Sequence, residues 1–463
     1  MEKLLNNQDS DKESEYKSYS FRWTILLFFV ISGVANALVL LTWAPISDKA
    51  SSFWDGLGTT EVNLLAVMFQ ICYIPGTLLA LYVSKNYDLR MIMIVGGALN
   101  TIGCVLRWIG CYSREFGNMD ATGSYGIVLV GTIFAALSQP FYLNMPARIS
   151  TAWFSVTQRD IAMTMCSLAN PLGSAVGSIL PTLFVTGGGD DGGDVTGVST
   201  LTMTQLIVSG VGLVLTVLFF KSQPPSPPSA SQEQNQASGN DNSNVSLTSE
   251  LLELFSNKNY VLLFFAFSIA LGNLNALATL LNQLPGSWEN SQVGLTGFAL
   301  ILSGFAGAFT TGILLEKTKA YKPILKSAYV LAVALWLVFG ISCRSGNFTF
   351  FILSAGLLGF FFLPIIPSSI VNAVECSFPQ REDLTVGLLY IGANTLAVAM
   401  TFIGQALLAS PSGNVKAPFY PYIIWGLVTM GSGMVAILFY DGKYHRLNRD
   451  TMGKYNYISE EFS

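Results

Sequence analysis

Several side chains able to bind a small molecule fall where apolar sequence surrounds them. They are Asn36 and Trp43, Gln139 and Asn144, Asn273, Asn275 and Gln283, and Tyr390 and Asn394. Inside hydrocarbon a polar group costs free energy unless it faces a partner, a ligand or a water-filled cavity. Amides supply donors and acceptors, and aromatic rings supply a π face. That is the chemistry of reversible recognition of a small organic solute, with nothing in it to break a bond. The competing reading of each residue is a helix–helix hydrogen bond. Asn273 and Asn275 are two apart and point to different faces of a regular helix, so at least one is expected to be such a contact.

Chemistry that needs charge or metal is thinly represented. Asp48, Glu61, Glu316 and Glu375 fall near the ends of apolar runs, which leaves no carboxylate placed to relay protons mid-membrane. Cys72, Cys104, Cys111, Cys166, Cys343 and Cys376 show no CxxC pair or metal-ligand spacing and mostly lie within apolar runs, as small hydrophobes do. The single histidine, His445, lies beyond the last apolar run and reads as a solvated tail residue. No phosphate loop and no His-based catalytic set is present, so neither an enzyme nor a cofactor is expected.

The elements that must position these residues follow from composition. The chain has 463 residues, 51% hydrophobic and 11% charged, where a soluble protein carries roughly 25% charged residues. A hydrocarbon core takes roughly 20 apolar residues per helix. Twelve such runs occur, at about 22–47, 60–84, 89–111, 123–152, 158–186, 198–220, 258–284, 292–315, 322–343, 348–376, 384–409 and 418–440. The fold class expected is therefore an all-α membrane protein with twelve transmembrane helices. The first residues are polar and the first run is too long for a signal peptide, so it reads as a retained span.

Even parity puts both ends on one side. All of the 24 basic residues except Lys49, Arg107, Arg114, Arg344 and Lys416 fall in segments that share that side, which is therefore expected to be cytoplasmic. Residues 1–21 form the N-terminal tail, 22–220 a first bundle of six helices, 258–441 a second, and 442–463 the C-terminal tail. Between the bundles, 221–257 opens with Pro224-Pro225-Ser226-Pro227-Pro228 and continues rich in Ser, Gln and Asn. Such a composition is expected to stay disordered. A net charge of −4 gives no reason to expect a nucleic-acid partner. Pro75-Gly76, Pro140, Pro171 and Pro364 to Pro367 are expected to break helices and free carbonyls.

Several phrases resemble solute carrier family 49 of the major facilitator superfamily, the feline leukaemia virus subgroup C receptor-related proteins. Span four carries Gln139-Pro-Phe-Tyr-Leu-Asn-Met145-Pro146-Ala-Arg148, span five Asn170-Pro171-Leu172-Gly173 and span seven Thr279-Leu-Leu-Asn282-Gln283. Span eight runs into Glu316-Lys317-Thr318-Lys319, and span ten ends Glu375-Cys376-Ser377-Phe378-Pro379. Leu106-Arg107-Trp108 and the span-ten phrase look closest to a poorly characterised branch. The resemblance implies two pseudo-symmetric six-helix bundles working by alternating access, most often as a monomer. Its cargo associations are heme, choline and pyridoxine.

By resemblance Gln139 falls on a substrate-contact position and Asn394 replaces a family Gln. Leu40 and Asn275 stand where choline-carrying relatives have aromatics, with Trp43 one turn from Leu40. A heme cargo finds no membrane-embedded His. The loop after span two lacks the family's acid. A polarity-swapped contact of Lys85 or Arg90 with Glu382 or Asp383 is expected there, and Glu316 is expected to approach Arg159. With Arg148 and Glu375 these residues would form a cytoplasmic gate. The candidate site is then Asn36, Trp43, Gln139, Asn144, Asn275, Gln283, Tyr390 and Asn394. A non-transporting receptor on the same fold is the alternative. The plasma membrane and an endosomal or vacuolar membrane both fit, the latter through Tyr455-Asn-Tyr-Ile458.

Overall fold

The computed structural model describes residues 19–451 except 56, 118, 188–193, 234–245, 282–289 and 409–418. The first half begins with α1 (Arg22–Leu40), which turns through a short α2 (Ser47–Phe53). Span two is α3 (Thr59–Ile71) and α4 (Tyr73–Asn86), and span three is α5 (Leu89–Glu115). Span four is α6 (Ala121–Ser138), α7 (Pro140–Leu143) and α8 (Pro146–Trp153). α9 (Arg159–Phe184) and α10 (Val198–Phe219) complete the half. After the linker helix α11 (Leu247–Ser256) come α12 (Lys258–Leu280), α13 (Asn290–Thr318) and α14 (Tyr321–Ser342). Span ten is α15 (Phe348–Phe362) and α16 (Ile365–Ser377); α17 (Glu382–Leu408) and α18 (Phe419–Phe439) follow.

Among the described residues, 11 helices are long and apolar enough to cross a membrane. The fifth span, α9, has 26 residues and a more polar face, with Asp160, Thr164, Ser167 and Ser174 buried. It packs against α1 and across the seam against α13, so less of it needs to suit lipid.

Spans two, four and ten break at Cys72, Gln139 and Pro364, beside the prolines that mark them. The break expected at Pro171 is absent, because α9 runs unbroken through Pro171 and Pro181. Close packing on α1 holds it straight. A methyl on Gly173 would lie 2.6 Å from the Val34 carbonyl oxygen, and one on Gly177 2.7 Å from that of Leu38.

The linker departs from the expected disorder at both described ends. α11 is capped by Ser246, whose hydroxyl accepts from the Ser249 N–H, and it buries Glu250 and Leu254. Ser229 and Ser231 are buried as well. Averaged composition hides these short anchored pieces within a polar stretch. Residues 234–245 lie outside the described residues.

Each half has its own core. Ile25, Phe29, Ile92 and Phe141 centre the first, and Phe267, Tyr329, Trp336 and Phe351 the second. The second core continues into Tyr73, Leu81, Leu143, Ala147 and Met163 of the first half, so the seam between halves is dry there. Spans eight and ten approach backbone to backbone. A methyl on Gly307 would overlap the Phe360 carbonyl, and one on Gly359 the Leu300 carbonyl. Gly307→Ala is therefore expected to lose about 1–3 kcal/mol by overpacking, read as a lower unfolding temperature in detergent. Gly210→Ala, with nothing within 4 Å of the added methyl, should leave that temperature unchanged.

Candidate functional site

Two helices from opposite halves meet along the seam. Ser84, Thr77 and Tyr73 of α4 face Asp383, Gly387 and Tyr390 of α17. The Ser84 hydroxyl donates to Asp383 Oδ2 at 2.5 Å. A Cβ on Gly387 would lie 3.2 Å from Thr77 Cγ2 and 3.1 Å from Asn144 Nδ2. The Tyr73 and Tyr390 rings stand 6.2 Å apart, and Phe267 of α12 meets Tyr390 edge-on at 5.3 Å. Tyr73 donates its phenol proton to Asn144 Oδ1 at 2.7 Å.

Asn144 Nδ2 and, at the α6–α7 break, Gln139 Oε1 are buried without a hydrogen-bond partner among the described residues. Asn394 donates to the Tyr390 carbonyl one turn away, at 2.9 Å. Among the described residues it makes no other hydrogen bond. Tyr73 and Asn144 thus face Tyr390 and Gly387 across the seam, with Thr77 beside them; Gln139 lies at the α6–α7 break and Asn394 one turn beyond Tyr390. Sequence reasoning missed Tyr73 and Thr77. The available signal was a Tyr two residues before Pro75 in a span that must break.

The other candidates stand apart. Asn36 Nδ2 lies within hydrogen-bond reach of Asn100 Oδ1 (3.0 Å), the Ala135 carbonyl (2.9 Å) and Ser138 Oγ (2.7 Å), which ties spans one, three and four together. Trp43 sits in an outer cluster, its ring 5.0 Å from Trp54 and 5.4 Å from the Arg107 guanidinium. Arg107 in turn donates to the Val39 carbonyl (3.3 Å) and Thr42 Oγ1 (3.0 Å), where α1 ends. Asn273 donates to Thr429 Oγ1 on α18, a helix–helix contact, whereas Asn275 is half-buried with no side-chain hydrogen bond among the described residues. Gln283 lies outside the described residues.

Charged residues gather on the face where α1 begins and α18 ends, here called the terminal face. The expected contact of Arg90 with Asp383 or Glu382 is not formed. Arg90 reaches the Val217 carbonyl at 2.7 Å, on the outside of the bundle. Asp383 is instead held by Ser84, by Arg381 at 2.8 Å and by Arg148, which donates to Ser84 Oγ. Lys85 acts on Glu250 of α11; burial pushes that carboxyl's pKa up, while Arg381 and Lys85 pull it down.

Glu316 does approach the start of α9, but it does not pair with Arg159. Its Oε2 accepts the Asp160 and Ile161 N–H groups at 3.0 and 3.3 Å, satisfying unpaired donors at a helix N-terminus. Lys319 then bridges Glu316 (2.8 Å) and Asp160 (2.7 Å) across the seam. Arg159 pairs with Asp450 of the tail at 3.0 Å, and Glu375 with Arg446 at 2.9 Å. Sequence reasoning treated that tail as solvated. Its one signal was the spacing of Arg446 and Asp450, four apart and so on one helix face.

A twelve-span bundle split in two, with polar atoms unpartnered at its centre, matches a known family. The model of the Major Facilitator Superfamily covers residues 23–325. The chain belongs to that superfamily. Over 447 residues it is 27% identical to the choline/ethanolamine transporter FLVCR2 of Rattus norvegicus, covering 95% of this chain and 78% of the relative. It is also 27% identical to solute carrier family 49 member A3 of Xenopus tropicalis, over 99% of this chain and 95% of that one. The fold is shared with the transporter FucP in its outward conformation (TM-score 0.68, 17% identity, 92% of this chain and all 100% of that chain). A double-Trp variant of XylE gives a TM-score of 0.69 at 12% identity, covering 94% of this chain and 100% of that chain. The chain is thus a major facilitator transporter of a small solute, similar to solute carrier family 49.

Asn36→Ala should lower the unfolding temperature through the loss of a buried hydrogen-bond knot, about 1–3 kcal/mol. Gln139→Ala should leave that temperature nearly unchanged while abolishing ligand-dependent stabilisation, both read by thermal unfolding with and without ligand.

Proposed function

We propose that the protein is a facilitative alternating-access carrier, working as a monomer, and that the structure is its outward-facing state. One observation supports this most. The cross-half hydrogen bonds and ion pairs named above all lie toward the terminal face, while Asn144 Nδ2 and Gln139 Oε1, without partners among the described residues, lie above them. With the terminal face cytoplasmic, as the basic residues favour, the inner side is closed and the central polar groups await solute from outside.

The gate has two arms related by the pseudo-symmetry of the halves. One is α4 on α17, through Ser84, Arg148 and Asp383; the other is α9 on α13, through Asp160, Glu316 and Lys319. Lys319 holds a left-handed backbone, φ 50°, at the end of α13, an uncommon conformation for Lys. Its three ammonium contacts, to Val156 O, Asp160 and Glu316, fix it there. Solute bound between Tyr390, Asn144, Gln139 and Asn394 would favour whichever state it contacts better, and so shift the balance of the two.

The relatives' printed substrates make choline and ethanolamine the first solutes to test. The rings of Tyr73, Tyr390 and Phe267 offer π faces to a cationic headgroup, and the neutral amides offer hydrogen bonds. Among the described residues of the central cluster there is no Asp, Glu or His. This supports facilitative movement over proton coupling.

Thermal unfolding of the purified protein against choline, ethanolamine, pyridoxine, hemin and unrelated metabolites tests the reading. One compound should raise the unfolding temperature by mass action, and the shift should vanish in Gln139→Ala. That compound should enter proteoliposomes at a rate unaltered by a pH gradient. Saturable binding with no flux would instead make the protein a receptor. Glu316→Gln should shift the protein toward a state open on the terminal face, seen as new labelling of a cysteine placed at Thr164.

A further inference from the structure

We propose that the segment after α18 is a latch. It clamps the two halves together on the terminal face and must come away before that face opens. The proposal rests on the alternating-access reading and adds a part outside the transmembrane helices. α18 ends at Phe439, Tyr440 is anchored by its phenol to Asn372 at 3.2 Å, and residues 445–451 then form a helix beneath both halves.

Arg446 is the anchor on the second half. Its side chain is fully buried. Nε donates to Glu375 Oε1 at 2.9 Å and Nη1 to Glu382 Oε1 at 3.2 Å, while Glu375 Oε2 accepts the Leu447 N–H at 2.9 Å. Burial alone would lower the guanidinium pKa, but Glu375 and Glu382 outweigh it and the net direction is up. Arg446 Nη1 also reaches Thr151 Oγ1 of the first half at 3.2 Å.

Asp450, one turn later, is the anchor on the first half and the linker. It accepts from Arg159 Nη2 at 3.0 Å and from the Ser231 N–H at 2.8 Å. Arg159 Nη1 donates in turn to Ser231 Oγ at 3.2 Å. The tail therefore binds one half through Arg446 and the other through Asp450. The halves cannot part with both anchors kept: a tail left on the second half gives up Arg159–Asp450, and one left on the first gives up Arg446–Glu375 and Arg446–Glu382. Breaking a buried charge pair is strongly destabilising, so parting and release of the tail are linked.

The buried side chains of this helix are Arg446 and Asp450, Leu447 is half-buried, and His445, Asn448 and Arg449 are exposed. Ion pairs hold it, and within 445–451 Leu447 packs against the hydrophobic core of the second half.

Spin labels on Tyr87→Cys and Lys317→Cys, one on each half of the terminal face, give the readout as a distance distribution. All six native cysteines are buried. The full chain should show one short distance. Ending the chain at Lys443, or the full-length substitution Asp450→Asn, should add a second, longer distance. Arg159→Asp and Asp450→Arg should each do the same alone, and the pair together should restore the short distance. A single short distance in the truncated chain and in Asp450→Asn, while Glu316→Gln opens with the tail intact, would overturn the latch and leave the gate standing. A single distance in every variant, gate variants included, would overturn the alternating-access reading and the latch with it.

Discussion

A charge taken out of water needs its counter-charge close by, and on the terminal face of this protein the counter-charges come from across the seam. Lys319 of the second half meets Asp160 of the first, and Glu316 of the second caps a helix of the first. Arg159 of the first meets Asp450, which follows the second. Lys319 also pairs with Glu316 within its own half, whereas Arg159 and Asp160 take their side-chain partners, among the described residues, from across the seam or from the linker. Separation would leave each of them partly desolvated until water entered, and a buried pair broken on one side costs roughly 3–5 kcal/mol. Opening that face would require water to replace these protein partners.

The packing above this layer follows from the same demand. α4 and α17 lie close because Gly387 has no side chain to hold Asn144 and Thr77 away, and α9 and α13 lie close because Gly312 is opposite Thr164. Both contacts use a small residue at the point of nearest approach, as helices in lipid do when no hydrophobic force draws them together.

Hydrophobic run length placed most span ends within a few residues, because the thickness of hydrocarbon leaves little freedom, but span one, read to 47, ends at Leu40. Breaks at Cys72, Gln139 and Pro364 could be read from nearby prolines. Pro171 could not, since whether a proline breaks a helix depends on what grips the segment beyond it, here α1 against Gly173 and Gly177. The gate residues were partly legible. Asp383, Glu316 and Glu375 do sit at the seam, yet only structure shows that Ser84 takes the place expected of Arg90, that a helix N-terminus takes that of Arg159, and that Arg446 is the partner of Glu375. Partner choice among surface charges depends on a few ångströms of reach, which spacing along a chain does not encode. Tail and linker were misread for one reason: average polarity describes a segment's solvent preference but not two or three residues positioned to meet buried charges elsewhere.

The central cluster and the terminal network obey opposite electrostatic rules, and that contrast bears on coupling. Below, ionised groups are plentiful and paired; above, among the described residues, the cluster is neutral. The cluster presents amides, hydroxyls and rings, and the ion pairs lie about two turns away along α17. Tyr390 and Asp383 sit two turns apart on one helix. A solute that draws Tyr390 toward Tyr73 pulls on the same α17 that Ser84 holds through Asp383, so the binding site can bias the gate mechanically along one rigid element.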